Sequence, residues 1–223
     1  MVVLLVSLVL YCLLFVAVGW IFRTRVTMAL VVPVVLGFSA LFVALSIQSV
    51  VSAIVAGLLG SYSPSNPRDG LMFGFIDAIC QLGAKFLTIF AATKLVSKAR
   101  ISDIGLAVGC GFALSELAIV SSAASPLHHT VLVRVLERVA ALLFNVASCL
   151  ILVSAVYIGN LRERLILVIA YQTIVDGLVA AVSRFPVWIP VYEWGQVGAG
   201  IVLLGLAVWW IRRSPLVDPL KRS

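Results

Sequence analysis

Charge is scarce in this chain. Asp, Glu, Lys and Arg make up 11% of its 223 residues, 63% are hydrophobic, and the mean hydropathy is +1.19. A soluble domain of this length has too little interior to hide so much apolar side chain, so the expected solvent is lipid. Histidine is scarcer still, with only His128 and His129, side by side. Adjacent residues rarely hold one metal together, and the pair reads as two solvated loop imidazoles. The four cysteines, Cys12, Cys80, Cys110 and Cys149, all fall in apolar stretches without CxxC spacing, and read as buried small hydrophobes. HExxH, GxSxG and phosphate-cradling glycine loops are absent, which removes zincin, serine-hydrolase and nucleotide-binding signatures. A basic n-region is missing too. Residues 1–22 are apolar from the start and read as a first span rather than a cleaved signal. Internal repeats and low-complexity tails are likewise absent.

What is present is a series of apolar runs: Val2–Phe22, Val26–Ile47, Leu71–Val96, Ile104–Ala124, Val131–Ile158, Leu165–Val182 and Val197–Ile211. Most approach or exceed the ~20 residues that cross a hydrocarbon core. Lipid leaves backbone groups no partner outside the segment, so each run is expected to be helical. The fold class expected is all-α, a polytopic bundle of about seven spans in one membrane domain. Breakers sit between the runs at Ser61–Gly70, Ser125–His129 and Phe185–Gln196. The second run continues apolar through Gln48–Gly60, which reads as a helix extension or as an interfacial or re-entrant segment.

The net charge of +7 follows the same topology. With the N-terminus outside, Arg23, Arg25, Lys94, Lys98, Arg100, Arg162, Arg164, Arg212, Arg213, Lys221 and Arg222 fall on the cytoplasmic side, and Arg68, Arg134 and Arg184 on the other. An additional crossing by Gln48–Gly60 spoils that eleven-to-three asymmetry to nine against five, so seven spans fit the positive-inside rule better. The basic residues therefore imply orientation in a membrane, plausibly a prokaryotic cytoplasmic one, and not nucleic acid. Residues 213–223 read as a short basic cytoplasmic tail at anionic headgroups. Trp188, Tyr192 and Trp194 read as an interfacial aromatic belt in the last outer loop.

Six ionisable residues remain inside the spans: Asp77, Lys85, Glu116, Glu137, Arg138 and Asp176, with Arg134 at an edge. A charge at mid-bilayer costs roughly 2.5–3.5 kcal/mol on insertion scales, so each needs a partner or a use. Asp77, Gln81 and Lys85 recur every four residues and share one helix face. Arg134, Arg138, Asn145 and Ser148 fall on one broad stripe with Glu137 beside it, and Gln172 and Asp176 lie one turn apart. Glu116 follows Gly105, Gly109 and Gly111, which allow close helix approach. Spans three to six are thus expected to form the functional bundle, since spans one, two and seven carry no comparable stripe. The same charges also suit salt bridges that merely lock helices together, and both readings stand at this point.

The order of these residues resembles the YhfC-like group of intramembrane metalloproteases, relatives of the CAAX-processing, bacteriocin-processing and PrsW-type proteases. The resemblance covers about half the chain, from Gly74 to Val182. Gly109-Cys110-Gly111-Phe112-Ala113-Leu114-Ser115-Glu116 is similar to that group's Gly-x-Gly-His-Gly-x-x-Glu motif. Glu137-Arg138 followed by Phe144–Ser148 is similar to its Glu-Arg span with a later histidine, and Gln172–Asp176 to its His-x-x-x-Asp motif. Gln81–Lys85 stands where the group has Glu-Glu-x-x-Arg. The departures fall on the chemistry: Phe112, Asn145 and Gln172 replace the three histidines, and Gln81 and Leu82 the paired glutamates. A phenylalanine has no lone pair for a metal, and Asn or Gln keeps polarity without strong ligation or proton transfer.

What the resemblance implies is a non-catalytic relative, with no metal or other cofactor. It would act in the bilayer as a binding scaffold, with a transmembrane helix or lipidic ligand, or as a subunit beside other membrane proteins. Two alternatives stay open. A transporter or channel subunit would use the buried charges, and its ion flux in liposomes would fall on Glu116→Gln or Asp176→Asn. An active protease would have to hold a hard cation on Glu116, Glu137 and Asp176.

Overall fold

The computed structural model describes residues 2–22, 28–60, 66–96, 99–122, 131–182 and 185–213. They form seven helices: α1 Val2–Phe22, α2 Val31–Leu59, α3 Pro67–Leu95, α4 Ile101–Ser122, α5 Val131–Ile158, α6 Leu161–Val182 and α7 Ile189–Arg212. Five stretches, covering α2, α3, α5, α7 and most of α4, are long and apolar enough to cross a membrane. The apolar stretch found in α1 is shorter, Leu5–Ala17, and α6 carries Arg162, Glu163, Arg164 and Asp176. The chain is a multi-pass helical bundle. His128, His129 and residues 214–223 of the expected tail lie outside the described residues.

Several helix limits differ from the sequence runs, α4 starting at Ile101 and α6 at Leu161, and three features bear most on the fold. Gln48–Leu59 continues α2 without a break, so the extension is the form adopted. At 1.5 Å per residue the 29-residue helix is about 43 Å long, beyond the ~30 Å hydrocarbon core. It ends on Gly60 in the left-handed region, at φ 67°, the usual glycine stop. Second, α3 starts four residues early because Asn66 caps it, accepting a hydrogen bond from the Arg68 N–H at 3.1 Å, with Pro67 at the first position. Third, α7 starts at Ile189, so most of the expected outer loop is helix and Tyr192, Glu193, Trp194 and Gln196 ride on it. Trp188 and Trp194 are exposed, as a belt requires, whereas Tyr192 turns inward. Two of the four cysteines also depart from expectation, Cys12 being exposed and Cys80 half-buried.

α4 is the centre of the bundle, buried without interruption from Ser102 to Ala113. It packs mainly on α2 and α5, while α3 pairs with α6 and α5 with α7. Small residues set these distances. A Cβ on Gly111 would lie 2.0 Å from the Val34 carbonyl oxygen, and one on Gly109 would lie 2.8 Å from the Asn145 carbonyl oxygen. A glycine on one helix lets the backbone of its neighbour approach closely, and dispersion contacts accumulate along the seam. α6 and α7 meet only sparsely. That gap, backed by α5, holds the cavity described next.

Candidate functional site

The stripe on α3 is built as its spacing implies. The Gln81 amide donates to both Asp77 oxygens, at 2.9 and 3.0 Å. One turn further, Lys85 enters the core and is 0% exposed. Its ammonium donates to Ser148 Oγ at 3.1 Å and lies between the rings of Phe112 and Phe144, 4.6 and 4.7 Å from their centroids. Ser148 in turn donates to the Asn145 carbonyl. Lys85 therefore makes no ion pair among the described residues. Two aromatic faces and one hydroxyl replace the carboxylate that mutual neutralisation would supply, a cation–π arrangement favoured where water is excluded.

A second group surrounds Arg138 on α5. Its guanidinium contacts Glu137 and lies 3.8 Å from Glu116 of α4. Asn145 donates its amide to the other Glu116 oxygen at 2.8 Å. Tyr11 of α1 donates to the Arg138 carbonyl at 3.0 Å, tying the first helix to the same turn. Here the salt-bridge expectation holds. One buried cation serves two carboxylates from different helices.

The third group is on α6. The Asp176 side chain lies one turn from Gln172 on its own helix and faces Asp77 across the α3–α6 contact. Close contact of α3 with α6 makes this possible: Gly74 and Gly177 face each other, and a Cβ on Gly74 would meet the Gly177 nitrogen at 2.6 Å. Asp77, Gln81, Gln172 and Asp176 thus form one polar patch between two helices.

These groups converge on a cavity of about 270 Å³. Gln81, Glu116, Glu137, Arg138, Asn145, Gln172 and Asp176 line it, with aromatic walls from Phe144, Tyr171 and Tyr192. Asp77, Lys85 and Ser148 stand behind the wall and are not among the lining residues. α7 adds Tyr192, Glu193 and Gln196, which the sequence reading had assigned to a loop. The signal for them was present: Ile189, Tyr192, Glu193, Gln196 and Val197 follow helical spacing, but the prolines at 186 and 190 masked it. Two tyrosines bridge the α6–α7 gap in opposite directions. Tyr171 donates to the Gln196 carbonyl at 3.3 Å, and Tyr192 donates to the Val175 carbonyl.

Phe112, Asn145 and Gln172 do different work. The Phe112 ring faces the Lys85 ammonium, Asn145 holds Glu116, and Gln172 holds Asp176. Among the described residues, no three His, Cys, Asp or Glu side chains are grouped to hold a metal ion. No protein-family model, curated protein or solved structure matches this chain.

Proposed function

We propose that this chain is a membrane-embedded binding protein, similar in frame to the YhfC-like proteases and without hydrolytic chemistry of its own. The observation that supports the reading is the placement of Lys85. Its ammonium lies against Phe112 and donates to Ser148, which bonds the Asn145 carbonyl; Phe112 and Asn145 match two of the resembled group's histidine positions. A fixed internal cation there supplies the positive charge of a metal but offers no vacant coordination position for water or substrate. Glu116, the surviving glutamate of the glycine motif, is engaged by Asn145 and faces Arg138, so it acts as a structural counter-charge. The ligand site is the adjoining cavity between α5, α6 and α7. In this reading the N-terminus and the cavity end of α7 face outside, as the basic-residue asymmetry implies, and the membrane is taken to be a prokaryotic cytoplasmic one.

Metal analysis of the protein purified in mild detergent tests this, wild type beside Glu116→Ala. The wild type is expected to carry no stoichiometric metal and to keep its melting temperature in chelator. Glu116→Ala is expected to melt lower, because Arg138 and Asn145 lose their shared acceptor. Stoichiometric zinc in the wild type that disappears in the variant would overturn the reading in favour of a protease.

A further inference from the structure

On the cavity wall four acceptors lack a hydrogen-bond partner among the described residues, against one donor, Arg138 Nη1. Gln172 is 3% exposed, Asn145 1% and Glu193 8%, yet Gln172 Oε1, Asn145 Oδ1 and Glu193 Oε2 all lack a hydrogen-bond partner among the described residues, as does Asp176 Oδ2. All four residues line the one cavity. The amide orientations follow from chemistry. Asn145 must turn its NH₂ to the Glu116 carboxylate and Gln172 its NH₂ to Asp176, which leaves each carbonyl oxygen without a donor. A buried acceptor left unsatisfied costs about 1–3 kcal/mol, so four in one place point to a missing set of donors.

Charge points the same way. Four carboxylates line the cavity, Glu116, Glu137, Asp176 and Glu193, against the single guanidinium of Arg138. Arg138 is committed to Glu116 and Glu137. Asp176 and Glu193 make no ion pair among the described residues. Lys85, a second buried cation, is sealed behind Phe112 and Phe144, and neither it nor the buried Arg164 is among the lining residues.

From these two imbalances we infer that the cavity binds a protonated primary amine carrying a short apolar tail, its ammonium hydrogen-bonded among Asn145, Gln172, Asp176 and Glu193. A primary ammonium brings three N–H donors and one positive charge, matching both deficits. The aromatic walls suit the rest of such a ligand. Phe144 and Tyr171 stack 4.9 Å apart, and aromatic faces attract a cation as well as an alkyl chain. A quaternary ammonium has the charge but no N–H, and a carboxylate has the wrong sign. The amine can be a free solute or the headgroup of an ethanolamine lipid.

The inference rests on the binding-protein reading, and the test separates the two. Calorimetric titration of the detergent-purified chain uses hexylammonium, hexyltrimethylammonium and hexanoate as probes. Saturable binding is expected for hexylammonium, weaker by about tenfold or more for the quaternary probe, and absent for hexanoate. Asp176→Asn and Glu193→Gln are each expected to weaken hexylammonium about tenfold. The wild-type probe series decides the matter even where a variant fails to fold. Repeating the titration in nanodiscs identifies the source. Loss of binding in ethanolamine lipid but not in choline lipid assigns the site to the headgroup, and binding in both assigns it to a free amine. Equal binding of all three probes, or of none, overturns the inference. A metal-free protein that binds no amine loses this inference alone, whereas metal-dependent cleavage removes the binding-protein reading as well.

Discussion

Gly111→Ala is expected to destabilise the bundle by about 1–3 kcal/mol, near the upper end of what overpacking costs. The added methyl would sit 2.0 Å from the Val34 carbonyl oxygen and 2.9 Å from the Phe38 nitrogen. Both are backbone atoms of α2, so no rotamer change relieves the contact. The helix must move, and α4 is held from the opposite side by α5 through Gly109. Gly83→Ala is the control, since a Cβ there meets nothing within 4 Å. That variant is expected to change stability by no more than about 0.5 kcal/mol. Unfolding titrations in SDS, read by circular dichroism, compare the two. Equal effects would mean that the close contact of α2 with α4 does not set the stability of the fold.

Arg138→Met is expected to cost about 3–5 kcal/mol, the range for removing one partner of a buried ion pair. The substitution keeps most of the side-chain volume but leaves Glu116 and Glu137 with no guanidinium between them. Both glutamates are partly open to the cavity, which places the expected loss toward the lower bound. Adding Glu116→Gln to Arg138→Met should restore a large part of it, because the orphaned charge is then gone. A double-mutant cycle measures that coupling. By contrast, Arg100 is about one third exposed and pairs with the buried Asp103 one turn on, so Arg100→Met should cost less than Arg138→Met. If the two arginines prove equivalent, Arg138 is not the organising charge of the cavity.

Much of this arrangement could be read from residue spacing. The i, i+4 recurrence of Asp77, Gln81 and Lys85 placed them on one face, and Gln81 does bond Asp77. Gly109 and Gly111 marked α4 as a close-packed helix, because small residues in an apolar run have few other uses. That buried acids and bases would pair across helices was readable from charge, but that Glu116 would find Arg138 was not. Other features depended on tertiary geometry. Nothing local says that Lys85 ends between two phenylalanines rather than beside Asp77 or Asp176, since both acids are of opposite charge. Glu193 was missed because prolines at 186 and 190 suggest a loop, although proline in the first turn of a helix costs little. The satisfied and unsatisfied oxygens of Asn145 and Gln172 follow only once their neighbours are known.

The seal around Lys85 also bears on the order in which the bundle is made. α3 carries both Asp77 and Lys85, and its most apolar window has a mean hydropathy of 1.5, against 2.6 for α2 and 2.4 for α5. Every group that holds the Lys85 ammonium comes later in the chain, Phe112 on α4 and Phe144 and Ser148 on α5. During synthesis α3 therefore meets the bilayer while its charge is unmatched, at an insertion cost of about 2.5–3.5 kcal/mol for the lysine. Arrival of α5 removes that cost. The third helix is a span that the fifth makes stable, and insertion of this protein is coupled across at least three consecutive helices rather than completed one helix at a time.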